Sequence, residues 1–401
     1  MSNPIHSLAC ALLLLAVAAP AQAAPYVPAN GDEVLEQLPR RADPAQQELR
    51  RMRAELAADP GNLQLATRTA QSYISTARNE TDPRYYGYAQ AALAPWWNQA
   101  APPHEVRLLR ATLMQSTHHF PEALADLDAI VEADPENAQA WLTRATVMTV
   151  RGDYAGATAS CGRMSPLTLE LVTITCISSV ATMTGRSAKS EALLEMTLAR
   201  HAGADPDLQS WALTLLAEMA ERRGDAVSAE ARYKRALDLS PRDSYLIGAY
   251  ADFLLEQKRP RDALALVKDQ RRIDALLLRQ ALALRQIVGA GSDAGAGDAL
   301  RAASTELGAR FEAAMRRGDS VHQREQARYE LHVRGDGKAG LALAQKNWAV
   351  QKEPADIRIL LEAALMARDK AAAAPVLAWI GQHGFEDVVA ARLARQIAAL
   401  A

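Results

Sequence analysis

The stretch LTLLAEMAERRGDAVSAEARYKRALDLSP, residues 213–241, decides the fold. Leu213, Leu216, Ala217 and Ala220 keep helical spacing, Gly224-Asp225 turns the chain, and Ala229, Tyr233, Ala236 and Leu237 set a second apolar stripe before Pro241. Each set lies along one face of its helix. Glycine suits the turn because it accepts positive φ after a helix. Alanine lets two helices approach closely, where a larger side chain would overpack by roughly 1–3 kcal/mol. The same grammar governs AWLTRATVMTVRGDYAGATASC, residues 140–161, with Gly152-Asp153 at its turn. Ala123, Ala157, Ala192, Ala229 and Ala263 then fall 34, 35, 37 and 34 residues apart. A period of that size marks a solenoid, whose units must stack because none buries its apolar face alone.

Residue by residue, the pattern resembles the tetratricopeptide repeat. Trp141, Ala145, Met148, Gly152, Asp153, Tyr154 and Ala157 match it, as do Leu216, Ala217, Gly224, Asp225, Ala229, Tyr233, Ala236 and Pro241. Phe120, Ala123, Leu127 and Pro135 match the second half of an earlier copy, and Tyr250, Ala251, Leu254 and Ala263 a later one. The resemblance implies an all-α, right-handed superhelical solenoid of antiparallel helix pairs, its concave wall built from the first helix of each pair. The sequence departs from the pattern at Arg110 and Arg144, which stand where the first helix usually has leucine, and residues 165–192 lack a clean turn.

Composition narrows the function. Of 401 residues, 45 are basic and 47 acidic, so no global field draws the chain onto nucleic acid or anionic lipid. The run LACALLLLAVAA, residues 8–19, is too short to span a bilayer, and Ala21-Gln22-Ala23 follows it as a small-x-small cleavage pattern. Residues 1–23 read as a removed export signal, although MSNPIHS at its start holds no Lys or Arg. Cleavage after Ala23 would make the mature chain periplasmic or otherwise exported, with no transmembrane segment. Export leaves Cys161 and Cys176 on consecutive helices in a compartment that permits disulfides. Their expected heights above the connecting turn differ by several ångströms, which favours two small core residues over a bond.

Along the chain, residues 24–44 read as an extended lead-in and 45–288 as an N-terminal array. Its pairs are expected at 104–134, 138–164, 168–201, 207–240 and 243–270. GAGSDAGAG, residues 289–297, reads as a flexible linker, since it lacks the Gly-Lys-Ser/Thr of a phosphate loop. Residues 298–401 form a C-terminal array, ending in a capping helix at 385–400 whose charged side faces solvent.

Catalytic chemistry finds no support. His104-Glu105 lacks the second ligand of a zinc-protease motif, because Leu108 stands in its place. His118-His119 fall at a turn, and His322 and His332 lie too far apart on one helix for one ion. The expectation is a non-enzyme with no cofactor and no metal, acting as a protein–protein interaction scaffold of the bacterial envelope. Its groove follows from the offset stripe of the first helices: Trp211, Thr214, Glu218, Glu221 and Arg222, then Tyr245, Gly248, Asp252, Leu255 and Glu256. Aromatic anchors rimmed by acids suit a peptide with basic and apolar side chains. Tyr85, Tyr86, Tyr88, Trp96 and Trp97 admit a second reading, glycan contact within an envelope polysaccharide export or secretion machine. The spacing of Tyr85, Tyr88 and Ala92 favours packing instead.

Overall fold

A computed structural model describes residues 44–80, 82–291, 294–318 and 323–400. The expected export signal, almost all of the lead-in, and His322 lie outside the described residues. The chain divides into two units, Met1–Glu48 and Leu49–Ala401. The described part of the first is the start of helix α1, Pro44–Ala58.

Every secondary-structure element among the described residues of the second unit is a helix. Its first pairs are α2 (Leu63–Glu80) with α3 (Arg84–Ala92), then, after the short α4 (Ala94–Trp97), α5 (His104–Ser116) with α6 (Phe120–Ala133). Next come α7 (Ala138–Arg151) with α8 (Tyr154–Arg163), α9 (Glu170–Ala181) with α10 (Ser187–Arg200), α11 (Pro206–Arg223) with α12 (Ala226–Leu239), and α13 (Ser244–Glu256) with α14 (Pro260–Val267). The expected linker is largely taken up by helix: α15 (Asp274–Gly289) runs into it, α16 (Ala294–Arg316) begins inside it, and the two pack on each other. Helix α17 (Gln323–Arg328) continues as a π-helical segment, Tyr329–Arg334, and packs with α18 (Gly337–Val350). Helices α19 (Pro354–Met366), α20 (Lys370–His383) and α21 (Val388–Ala398) complete the chain.

One turn recurs. A residue with positive φ ends the first helix, and the next residue caps the second. The pairs are His118-His119, Gly152-Asp153, Gly185-Arg186, Gly224-Asp225, Lys258-Arg259, Gly335-Asp336 and Arg368-Asp369. In six of these seven turns the capping residue's N–H reaches back five residues, as Asp153 does to Met148 O at 2.9 Å, which satisfies carbonyls at the helix end. After the π-helical segment the reach is six, Asp336 to Glu330 O at 2.8 Å.

The fourth residue of every second helix in these seven pairs is small: Ala123, Ala157, Ser190, Ala229, Ala263, Gly340 and Ala373. The five alanines are fully buried. This corrects the register of one copy, because Ala192 is exposed and Ser190 holds the inner position. Serine serves there because it is as small as the crossing requires and its buried hydroxyl donates to Ser178 Oγ at 2.8 Å. At Gly340 a Cβ would lie 3.2 Å from Leu331 Cβ, so the two helices of that pair meet almost backbone to backbone.

First helices contact first helices of neighbouring pairs along the unit, forming an inner layer that ends in α19 and α21. The last pairs then close back on earlier ones. Lys352 N–H donates to Val150 O at 2.7 Å, across some two hundred residues of sequence. The Tyr154 ring meets Trp379 at 5.9 Å and His383 at 5.1 Å. A shared core joins Ala145, Met148 and Val180 to Leu360, Val376 and Leu393. Gly185 and Gly384, both at positive φ, touch so closely that a Cβ on Gly185 would sit 2.8 Å from Gly384 O.

One further expectation changes. Cys161 and Cys176 form a disulfide with their Cα atoms 5.7 Å apart. Helix α8 stops at Arg163 and α9 begins only at Glu170, so the six-residue connection brings the two cysteines to one height. In the terminal helix α21 Arg392 and Arg395 are exposed, and Arg392 Nη2 is bonded to Glu256 Oε1 at 2.9 Å.

Candidate binding surface

The inner layer gathers the stripe expected from sequence, and its members divide into distinct environments. On α11, Trp211 is 37% exposed, whereas Thr214 is buried and donates its hydroxyl to Ser210 O at 2.8 Å. Glu218 accepts a hydrogen bond from Tyr245 Oη at 2.6 Å, and Glu221 from Tyr233 Oη at 2.8 Å. Among the described residues neither carboxylate has a cation at ion-pair distance. Burial raises the Glu218 carboxyl and pushes Glu221 up to about 7. Arg222 is buried, and its Nη2 has no hydrogen-bond partner among the described residues.

On α13, Tyr245 is 64% exposed and Leu255 is buried, while Gly248 packs against Leu276 and Arg279. Asp252 and Glu256 are engaged by the chain's own arginines. Asp252 takes a bidentate pair from Arg328 at 3.0 and 2.9 Å and a third bond from Arg279 at 2.7 Å. Although burial opposes ionisation, these guanidinium groups hold its carboxyl far below the usual range. Glu256 accepts from Arg358 at 2.6 Å and from Arg392 at 2.9 Å. Arg358 also reaches Glu362 at 2.7 Å, and His332 Nε2 lies 2.7 Å from the other oxygen of that carboxylate.

These arginines belong to the candidate surface, and the sequence concealed them. Arg328, Arg358 and Arg392 lie 76, 102 and 136 residues beyond the carboxylates they meet, so no local spacing betrays the pairing. Between α13, α15 and the C-terminal helices they line a cavity of about 380 Å³.

The aromatic cluster near the start packs on itself. Tyr73 is buried, with Tyr85 and Tyr88 ring centroids 6.0 and 5.6 Å away, and Tyr86, Trp96 and Trp97 lie half-buried on the same core. His118 stacks on Phe120 at 5.2 Å, and His119 Nδ1 lies 3.0 Å from Thr117 Oγ1. Among the described residues no group of three His, Cys, Asp or Glu side chains is placed to hold a metal ion, and no helix is long and apolar enough to cross a membrane.

The repeated turn, the small fourth residue and the stacked helix pairs define the class by fold, a helical-repeat solenoid with tetratricopeptide-like pairs. No family model matches the chain, and no curated protein matches it. Among solved structures it is similar to a tetratricopeptide repeat protein from Parabacteroides merdae, at 13% identity over 73% of this chain and 98% of that one, TM-score 0.37. It is similar also to the human IFIT1 dimer with m7Gppp-AAAA, at 13% identity over 87% and 86%, TM-score 0.45. A third is the Cut9–Hcn1 hetero-tetramer of the APC/C, at 14% identity over 80% and 52%, TM-score 0.42.

Proposed function

We propose that this chain is a non-catalytic interaction scaffold of the bacterial cell envelope that binds a protein or peptide on the inner wall formed by α11 and α13. The observation that carries the reading is the patch of Trp211, Tyr245, Glu218 and Glu221. It joins two accessible aromatic rings to two carboxylates that have no cation at ion-pair distance among the described residues, while Asp252 and Glu256 nearby are paired with arginines. A basic side chain from a partner would supply the missing charge, and the rings would anchor an apolar neighbour. Export fits the apolar leader of residues 8–19, and the Cys161–Cys176 disulfide suits an oxidising compartment.

The test is a photo-crosslinker placed at Tyr245 in the native envelope, with capture repeated in Trp211→Ala and Glu218→Lys backgrounds. A single protein captured by the wild-type wall and lost from both variants is the expected result. Equal capture in both variants, or none from the wild type, would remove this wall as the binding surface.

A further inference from the structure

We infer that the cavity between α13, α15 and the C-terminal helices is a binding site for a small multivalent anion bearing carboxylate or phosphate groups. Five permanent cations line it, Lys258, Arg285, Arg328, Arg358 and Arg392, against three carboxylates, Asp252, Glu256 and Glu362. Lining charge is therefore in cationic excess, in a chain whose net charge is −2. The excess sits at the rim. Lys258 and Arg285 are exposed and form no ion pair among the described residues, so their charge is available to a ligand. The paired arginines are held in place by carboxylates yet keep donors in reserve. Arg358 uses Nε and Nη2, and Arg392 uses Nη2, leaving the Nη1 group of each without a protein acceptor among the described residues.

Such prealigned guanidinium groups suit oxyanions, which accept two parallel N–H bonds from one fork. Leu255, Leu282 and Ile359 supply an apolar side to the cavity, where an ionic contact is stronger than in open water. A volume of about 380 Å³ lies within the range of sites for small organic molecules. The inference stands apart from the peptide patch, because it uses none of Trp211, Glu218, Glu221 or Tyr245.

The experiment is calorimetric titration of the full mature chain with inorganic pyrophosphate and, separately, with citrate. Saturable binding of one molecule per chain, weakening as salt rises, is expected for at least one probe, and the tighter probe tells phosphate from carboxylate chemistry. The exposed double variant Lys258→Glu/Arg285→Glu should weaken binding by about tenfold or more, since it replaces two attractive charges with two repulsive ones. Lys346→Glu, on the exposed face of α18, should bind as the wild type does. Failure of both probes to saturate, or equal affinity in the double variant, would overturn the site. Either result would leave the crosslinking outcome at Tyr245 untouched.

Discussion

Arg110 shows how a single residue can depart from the repeat pattern and still serve it. Its side chain is buried where leucine is usual, and it pairs with Asp126 through two bonds of 2.7 Å. Its Nη1 group donates to Trp97 O, at the end of α4, at 2.6 Å and to Gln99 O in the chain after it at 2.9 Å. A buried charge is tolerable only with that degree of satisfaction. Glu221 is the opposite case, a carboxylate given the Tyr233 hydroxyl and no cation at ion-pair distance among the described residues. Its folded-state value of about 7 lies above the 4.5 of an exposed glutamate, so the folded chain holds the proton more tightly. Its contribution to stability is complete below pH 4.5 and is lost as pH rises through 7. The urea midpoint of the wild type should therefore fall between these two values, and Glu221→Gln should flatten that slope. Some slope persists because burial raises Glu218 as well. A variant with the full wild-type slope, followed by circular dichroism, would place the titration elsewhere.

At the scale of helices, Gly152-Asp153, Gly224-Asp225 and Gly335-Asp336 mark their turns directly, and alanine at the crossing marks five of the seven pairs. The copy around residues 165–192 was not legible, for two physical reasons. Its turn, Gly185-Arg186, has no aspartate cap, and serine replaces alanine at the crossing. Elsewhere His118, Lys258 and Arg368 adopt the positive φ that glycine usually supplies, so those turns carry no glycine to read. The Cys161–Cys176 bond depended on the length of the α8–α9 connection, which periodicity locates only to within a few residues. That bond spans 15 residues. A loop of this size implies about 3 kcal/mol of stabilisation, lost in Cys161→Ala/Cys176→Ala. Denaturant titration with and without reductant checks it: reductant should lower the wild-type midpoint and leave the double variant unmoved.

For the whole unit Leu49–Ala401, closure of the late pairs onto the early ones rests on a shared apolar core together with Glu256, the carboxylate that holds both Arg358 and Arg392. Glu256→Arg would set three cations against one another there. Amide exchange across 388–398 should accelerate by about tenfold or more, the local opening that loss of this clasp predicts. Unchanged protection, read by mass spectrometry, would assign closure to the apolar core alone. The sequence by itself determined the helix pairs and their stacking, which follow from short-range periodicity and turn chemistry, and it nominated an offset stripe of first-helix residues, of which Thr214, Arg222 and Leu255 are buried. Only the tertiary structure decided which of those residues stay available. Curvature accumulated over many pairs brings Arg328, Arg358 and Arg392 to Asp252 and Glu256, and a sum of small rotations leaves no mark at any one position in the chain.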